Sequence, residues 1–121
     1  MISNTTSGSY RTLGAIVAHT EGLNAVFKVD LEFGDLVLVN TANSTYSIYV
    51  LDDGFYSISG GWFDRQGLSP MKTTIAGCTW GGSAIKSDIL AACGLHLEFG
   101  NRVVTSRIKK IHVVRCAEKS Q

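Results

Sequence analysis

Apolar runs of five to nine residues recur along the chain, and a turn signal breaks nearly every one of them. LGAIVAH (13–19), AVFKVDLEF (25–33), LVLVNTA (36–42), TYSIYVL (45–51), FYSIS (55–59), TTIAG (73–77), LHLEF (95–99), RVVTS (102–106) and IKKIHVVR (108–115) follow this pattern. In TYSIYVL, Tyr46, Ile48 and Val50 fall on one face, and Thr45, Ser47, Tyr49 and Leu51 on the other. Thirteen glycines against a single proline fit many tight turns between short elements. Asn43-Ser44 and Asp52-Asp53-Gly54 are two of them. Runs at this spacing predict a mainly β chain: an antiparallel β-barrel or barrel-like sandwich of about eight short strands. No linker or change of composition divides residues 11–121, so they read as a single β domain. Residues 1–10 (MISNTTSGSY) read as a polar, frayed start.

One segment breaks the pattern. In SAIKSDILAACG (83–94), Ile85, Ile89, Leu90 and Cys93 lie on one helical stripe, Ser83 is a candidate N-cap and Gly94 a candidate C-terminal glycine. This predicts one short helix near 84–93. A strand reading stays open, because Asp88-Ile89-Leu90 carries no capping box. WFDRQGLSPM (62–71) has no period, holds the proline and reads as a loop.

The tetrapeptide LEFG occurs twice, as VDLEFGDLVLVN (29–40) and LHLEFGNRVVTS (95–106). Gly34-Asp35 and Gly100-Asn101 each read as the two-residue loop of a type II′ hairpin, with glycine first because φ must be positive there. That register sets Leu31 against Leu38 and Leu97 against Val104. Five near-identical positions favour a recurrent turn over a duplication.

The charges bound the function. Only 17% of residues are charged and the net charge is +1, although 45% are hydrophobic. So few charges on a small domain predict self-association, as a homo-oligomer. Residues 101–121 carry six basic residues and one acid, a net +5, whereas the first hundred carry five basic and nine acidic residues, a net −4. Arg102, Arg107, Lys109 and Lys110 therefore form a candidate anion or nucleic-acid strand, with Arg107 and Lys109 on one face of a regular strand. Near-neutral overall charge argues against nucleic acid as the main partner. No signal peptide or membrane-length apolar stretch is visible, so a cytoplasmic protein without a membrane partner is expected.

Ser59-Gly60-Gly61-Trp62 is mirrored by Trp80-Gly81-Gly82-Ser83. Trp62, Trp80, Gly81, Gly82 and Ser83 form a candidate ligand site: glycine amides at a helix start for a small anionic ligand, tryptophans to stack on it. The competing reading is bends at sheet corners, with packed tryptophans.

Cys78, flanked by glycine, is a candidate nucleophile that lacks an evident base. Asp52 and Asp53 would need Asp64 or Glu98 to complete an acid–base pair. Cys93-x2-His96 and His112-x3-Cys116 have the right atom types for zinc but lie on strand-like sequence. No constellation is complete, so no catalytic residue, metal or cofactor is assigned. The sequence favours a small non-enzymatic binding or interaction module. A nucleic-acid-binding small barrel and a small enzyme using Cys78 or a carboxylate pair are the alternatives.

Overall fold

The computed structural model describes residues 15–16, 24–81 and 84–116. It is mainly β, with antiparallel strands throughout. The strands are β1 (Ala15–Ile16), β2 (Ala25–Phe27), β3 (Leu36–Thr41), β4 (Thr45–Val50), β5 (Tyr56–Gly60), β6 (Met71–Thr73), β7 (Ile75–Thr79), β8 (Ile85–Lys86), β9 (Ile89–Ala92), β10 (His96–Phe99) and β11 (Val104–Cys116). Nine of them form one sheet in the order β6-β5-β4-β3-β11-β10-β7-β8, with β1 added beside β11. The second sheet is the pair β2-β9. Of the expected antiparallel barrel or barrel-like sandwich, the mainly β antiparallel architecture is present, but no closed barrel is found among the described residues: the hydrogen-bonded order ends at β6 and at β8. The expected polar start, 1–10, lies outside the described residues.

Alternation explains the central strands. β3 and β4 bury every second residue, so Val37, Val39, Tyr46, Ile48 and Val50 point inward. Thr41 shapes the β3–β4 turn: its hydroxyl donates to the Ser44 carbonyl at 2.9 Å and accepts from the Ser44 N–H at 3.0 Å.

β11 runs the length of the sheet and pairs with β10, β3 and β1 in turn. It contains a bulge: Ile108 pairs with Thr41 and Lys110 with Asn40, leaving Lys109 as the extra residue. Ile108 and Ile111 consequently both face the core, while Lys109 and Lys110 are both exposed. Strict alternation, which puts Lys109 and Lys110 on opposite faces, fails here for that reason.

The one α-helix among the described residues is α1 (Gly61–Arg65), inside the segment read as a loop. Gly60 and Gly61 both have positive φ. A Cβ on Gly60 would collide with the Thr45 carbonyl, and one on Gly61 with the Tyr46 ring. The glycine pair lets α1 fold tightly against β4, where the buried Phe63 meets the rings of Tyr46 and Phe99.

No helix forms near 84–93. β8, a turn at Ser87-Asp88 and β9 occupy it instead. All four residues of β9 are buried, which a one-faced helix cannot provide. β9 pairs with β2 and packs on β7, so a short continuous apolar run fits it. Ile85, expected on the buried stripe, is exposed.

The two LEFG copies fold differently. In the first, β2 pairs with β9 rather than β3, and a 3-10 turn (Lys28–Asp30) leads the chain off the sheet. Leu38 pairs with Ser47 and His112, not with Leu31. Gly34, at φ 94°, forms the turn in which the Asp35 N–H donates to the Glu32 carbonyl. Asp35 is fully buried, and its carboxylate fixes the turn by accepting from the Glu32 N–H at 2.9 Å.

The second copy is a hairpin, but with a three-residue loop. The Phe99 N–H bonds the Val103 carbonyl and the Arg102 N–H bonds the Phe99 carbonyl. Glu98, not Leu97, pairs with Val104. Arg102, at φ 75°, takes the left-handed position that closes such loops. A non-glycine residue is strained there. Arg102→Gly is therefore expected to stabilise the fold by about 0.5–1 kcal/mol, since relieved strain outweighs the added freedom of the unfolded chain. Urea unfolding checks this, and a loss of stability would contradict it.

Candidate functional site

β4 ends and β5 begins at the same edge of the core, where Val50 and Tyr56 pair. The chain that leaves β2 crosses this edge as the 3-10 turn and residues 31–33. Between them lies a cleft of about 420 Å³, lined by Lys28, Val29, Leu31, Phe33, Val50, Leu51, Gly54 and Tyr56. Its size falls at the low end of the roughly 300–1,000 Å³ usual for small-molecule sites.

Among the lining side chains only two carry polar groups. Tyr56 is 6% exposed, and its hydroxyl has no hydrogen-bond partner among the described residues. Burial pushes its ionisation upward. A hydroxyl on the wall of a cleft can bond whatever enters it. Lys28 is the other polar group. Its Nζ donates to the Ile75 carbonyl at 2.6 Å, which leaves two N–H groups uncommitted. Tyr56 pairs with Thr73, two residues before Ile75, whose carbonyl holds Lys28 Nζ. Desolvation lowers the Lys28 pKa, opposed by the charges of Asp88 and Cys78.

The lip exposes two large apolar side chains. Val29 is 86% exposed and Phe33 51%. Four exposed carboxylates, Asp30, Glu32, Asp52 and Asp53, lie on the same two segments. Arg115 ties the lower segment to β11 by donating to the Asp30 carbonyl at 2.7 Å and the Asp35 carboxylate at 2.9 Å.

The residues singled out from sequence do not converge here. Trp62 sits on α1 and packs edge-on against Phe63, with ring centroids 5.2 Å apart. Trp80 follows β7 and is 62% exposed. Phe63 meets Phe99 at one end of β10, whereas Gly81 lies against His96 at the other end. The tryptophans thus do not flank a common site. Gly81 is followed by β8 rather than a helix, so the expected helix-start amides do not arise there; Gly82 and Ser83 lie outside the described residues.

Arg102, Arg107, Lys109 and Lys110 are all exposed. The Arg107 carbonyl accepts from the Ala42 N–H, which holds the β3–β4 turn beside this basic stretch. Arg65 joins that turn from α1, donating to the Ser44 hydroxyl at 3.3 Å. The strand is more basic locally than its sequence showed, because of the bulge and because Arg65 comes from elsewhere.

The candidate catalytic groups lie apart. Cys78 is fully buried and its thiol contacts the Leu90 carbonyl at 3.7 Å. Burial pushes its pKa up to about 11, the opposite of nucleophile activation. In the native protein, Cys78 is expected to resist alkylation at pH 8 and to react once urea unfolds the chain. Mass spectrometry of the labelled peptides checks this, and rapid native labelling would contradict it. Asp52 and Asp53 precede β5 while Asp64 follows it, and Asp64 is committed to the Gly60 N–H and the Ser69 hydroxyl. A five-residue strand places these carboxylates roughly 17 Å apart.

The zinc-like set is dispersed as well. His112 and Cys116 share β11 four residues apart, a spacing of roughly 13 Å on a strand. Cys93 contacts the Lys109 carbonyl at 3.6 Å, and His96 Nδ1 lies 2.9 Å from the Thr105 carbonyl. Among the described residues no three His, Cys, Asp or Glu side chains come together to hold a metal ion. No helix among them is long and apolar enough to cross a membrane. The sequence missed the cleft because its two polar groups are 28 residues apart and each looks ordinary in isolation.

Comparison of the chain with protein-family models, curated proteins and solved structures finds no match in any of the three.

Proposed function

We propose that the chain is a small non-enzymatic binding module and that the cleft beside Tyr56 receives its ligand. The Tyr56 hydroxyl, which has no hydrogen-bond partner among the described residues, carries this reading, since a ligand atom in the cleft would bond it. The exposed Val29 and Phe33 support it, because a bound apolar group would cover them. We also read the architecture as barrel-like: only Thr74 separates β6, at one edge of the large sheet, from β7 near the other. Ligand sites occur in the mouths of such folds.

Nile red, a neutral apolar dye, tests the cleft. Saturable binding with a blue-shifted emission is expected, weakened about tenfold by Val29→Ser combined with Phe33→Ser. Both positions are exposed, so the double variant should fold. Dye binding that is absent, or untouched by the substitutions, would sink the proposal.

The bulge favours a second reading, nucleic-acid binding by the basic strand, because it turns Lys109 and Lys110 to the same side. That reading requires affinity for single-stranded DNA that falls steeply with salt and with Lys109→Ala and Lys110→Ala together. Affinity indifferent to both would dismiss it.

A further inference from the structure

We infer that the ligand of this cleft is a small amphipathic carboxylate, its apolar body against Leu31, Phe33 and Val50 and its anionic head between Lys28 Nζ and the Tyr56 hydroxyl. The inference rests on the cleft being a ligand site and adds the chemistry of the occupant.

Three observations select it. First, the lining has groups for both halves of such a molecule: Leu31, Phe33, Val50 and Leu51 bring carbon side chains, and Lys28 and Tyr56 bring polar tips. Second, both tips can donate to one acceptor. Among the described residues Tyr56 Oη has no hydrogen-bond partner, and Lys28 has two N–H groups beyond the one given to Ile75. A carboxylate has two oxygens and about four lone-pair sites, enough to accept from both groups at once. An alcohol oxygen can accept from both but brings no charge to the ammonium, and an ammonium has no lone pair to accept with. Third, the ammonium lacks a carboxylate of its own. Asp88 is near enough to raise the Lys28 pKa, yet the two form no ion pair within the described residues.

The rim acids Asp30, Glu32, Asp52 and Asp53 oppose an anion, and their effect can be weighed. They are exposed and screened by water and salt, whereas Lys28 is partly desolvated and would touch the head directly. The contacting charge therefore dominates once the ligand is seated. The rim slows entry of anions, and added salt should relieve that effect.

Titrating the protein with decanoate, decan-1-ol and decylammonium, each below its aggregation concentration, separates the possibilities. Decanoate is expected to bind about tenfold more tightly than decan-1-ol. Lys28→Met, which keeps the apolar stem, should erase that preference. Tyr56→Phe should weaken decanoate about threefold to tenfold. Equal affinity for decanoate and decan-1-ol, or tighter binding of decylammonium, would overturn the carboxylate assignment and leave the cleft as an apolar site. Failure of all three ligands to bind would overturn the cleft itself.

Discussion

Asp35→Ala is expected to cost about 3 kcal/mol, which for a chain of this length lowers the melting temperature by roughly 12 °C. Asp35 is fully buried and joins three parts of the fold. Its Oδ2 accepts from the Glu32 N–H and from Arg115 Nη1, both at 2.9 Å, and Oδ1 accepts from the Cys116 N–H at 3.2 Å. Alanine would strand the two backbone donors and open a small cavity. Arg115 is 44% exposed and can turn to water, which keeps the loss at the lower end for a buried pair. Asp35→Asn keeps the shape and one acceptor but turns an NH₂ group toward its donors, so about half the loss is expected. Thermal unfolding of both variants checks the order. A change below about 1 kcal/mol for Asp35→Ala would mean that the carboxylate does not fix the 32–35 turn.

Phe63→Ala is expected to be at least as damaging, about 4 kcal/mol. Phe63 is fully buried on a five-residue helix that has little stability of its own. Its ring meets Tyr46, Trp62 and Phe99 at centroid separations of 6.2, 5.2 and 4.9 Å, each near-perpendicular. Removing it takes away apolar burial and three edge-to-face contacts together, and unties α1 from β10. Phe63→Leu, which refills most of the volume, should recover more than half of the loss. Denaturant midpoints decide this. A variant as stable as the parent would show that α1 is not anchored through this ring.

Much of the fold was legible because alternation is a strong signal where one face is buried. LVLVNTA and TYSIYVL became β3 and β4, Tyr46, Ile48 and Val50 share one buried face as their alternation implied, and Asn43-Ser44 fell in the turn between them; in β3 it is Val37 and Val39, not Leu36 and Leu38, that face the core. The errors share a cause: tertiary partners outvoted local pattern. The 84–93 stripe looked helical, yet β9 pairs with β2 and packs on β7 with all four of its residues buried, and such continuous burial erases helical periodicity. Gly34-Asp35 looked like a hairpin loop, but the buried Asp35 carboxylate binds β11, 80 residues away, and turns the preceding chain off the sheet. The Lys109 bulge was invisible because one inserted residue leaves no mark in composition.

The candidate site was less legible still. Tyr56 sits in an ordinary strand and its significance is a missing partner, which only the assembled fold reveals. Lys28 reads as one more polar residue in an alternating run. Trp62, Trp80 and the paired glycines attracted attention as residue types. In the fold, Gly60 and Gly61 serve the close approach of α1 to β4.

The most direct measurement is amide chemical-shift mapping of the labelled protein titrated with decan-1-ol, a neutral ligand that isolates the cleft from its charge. Binding at the cleft predicts shifts at residues 28–33 and 50–56 that saturate together, with residues 102–110 unchanged. Shifts centred on 79–81 or 102–110, or none that saturate, would contradict it.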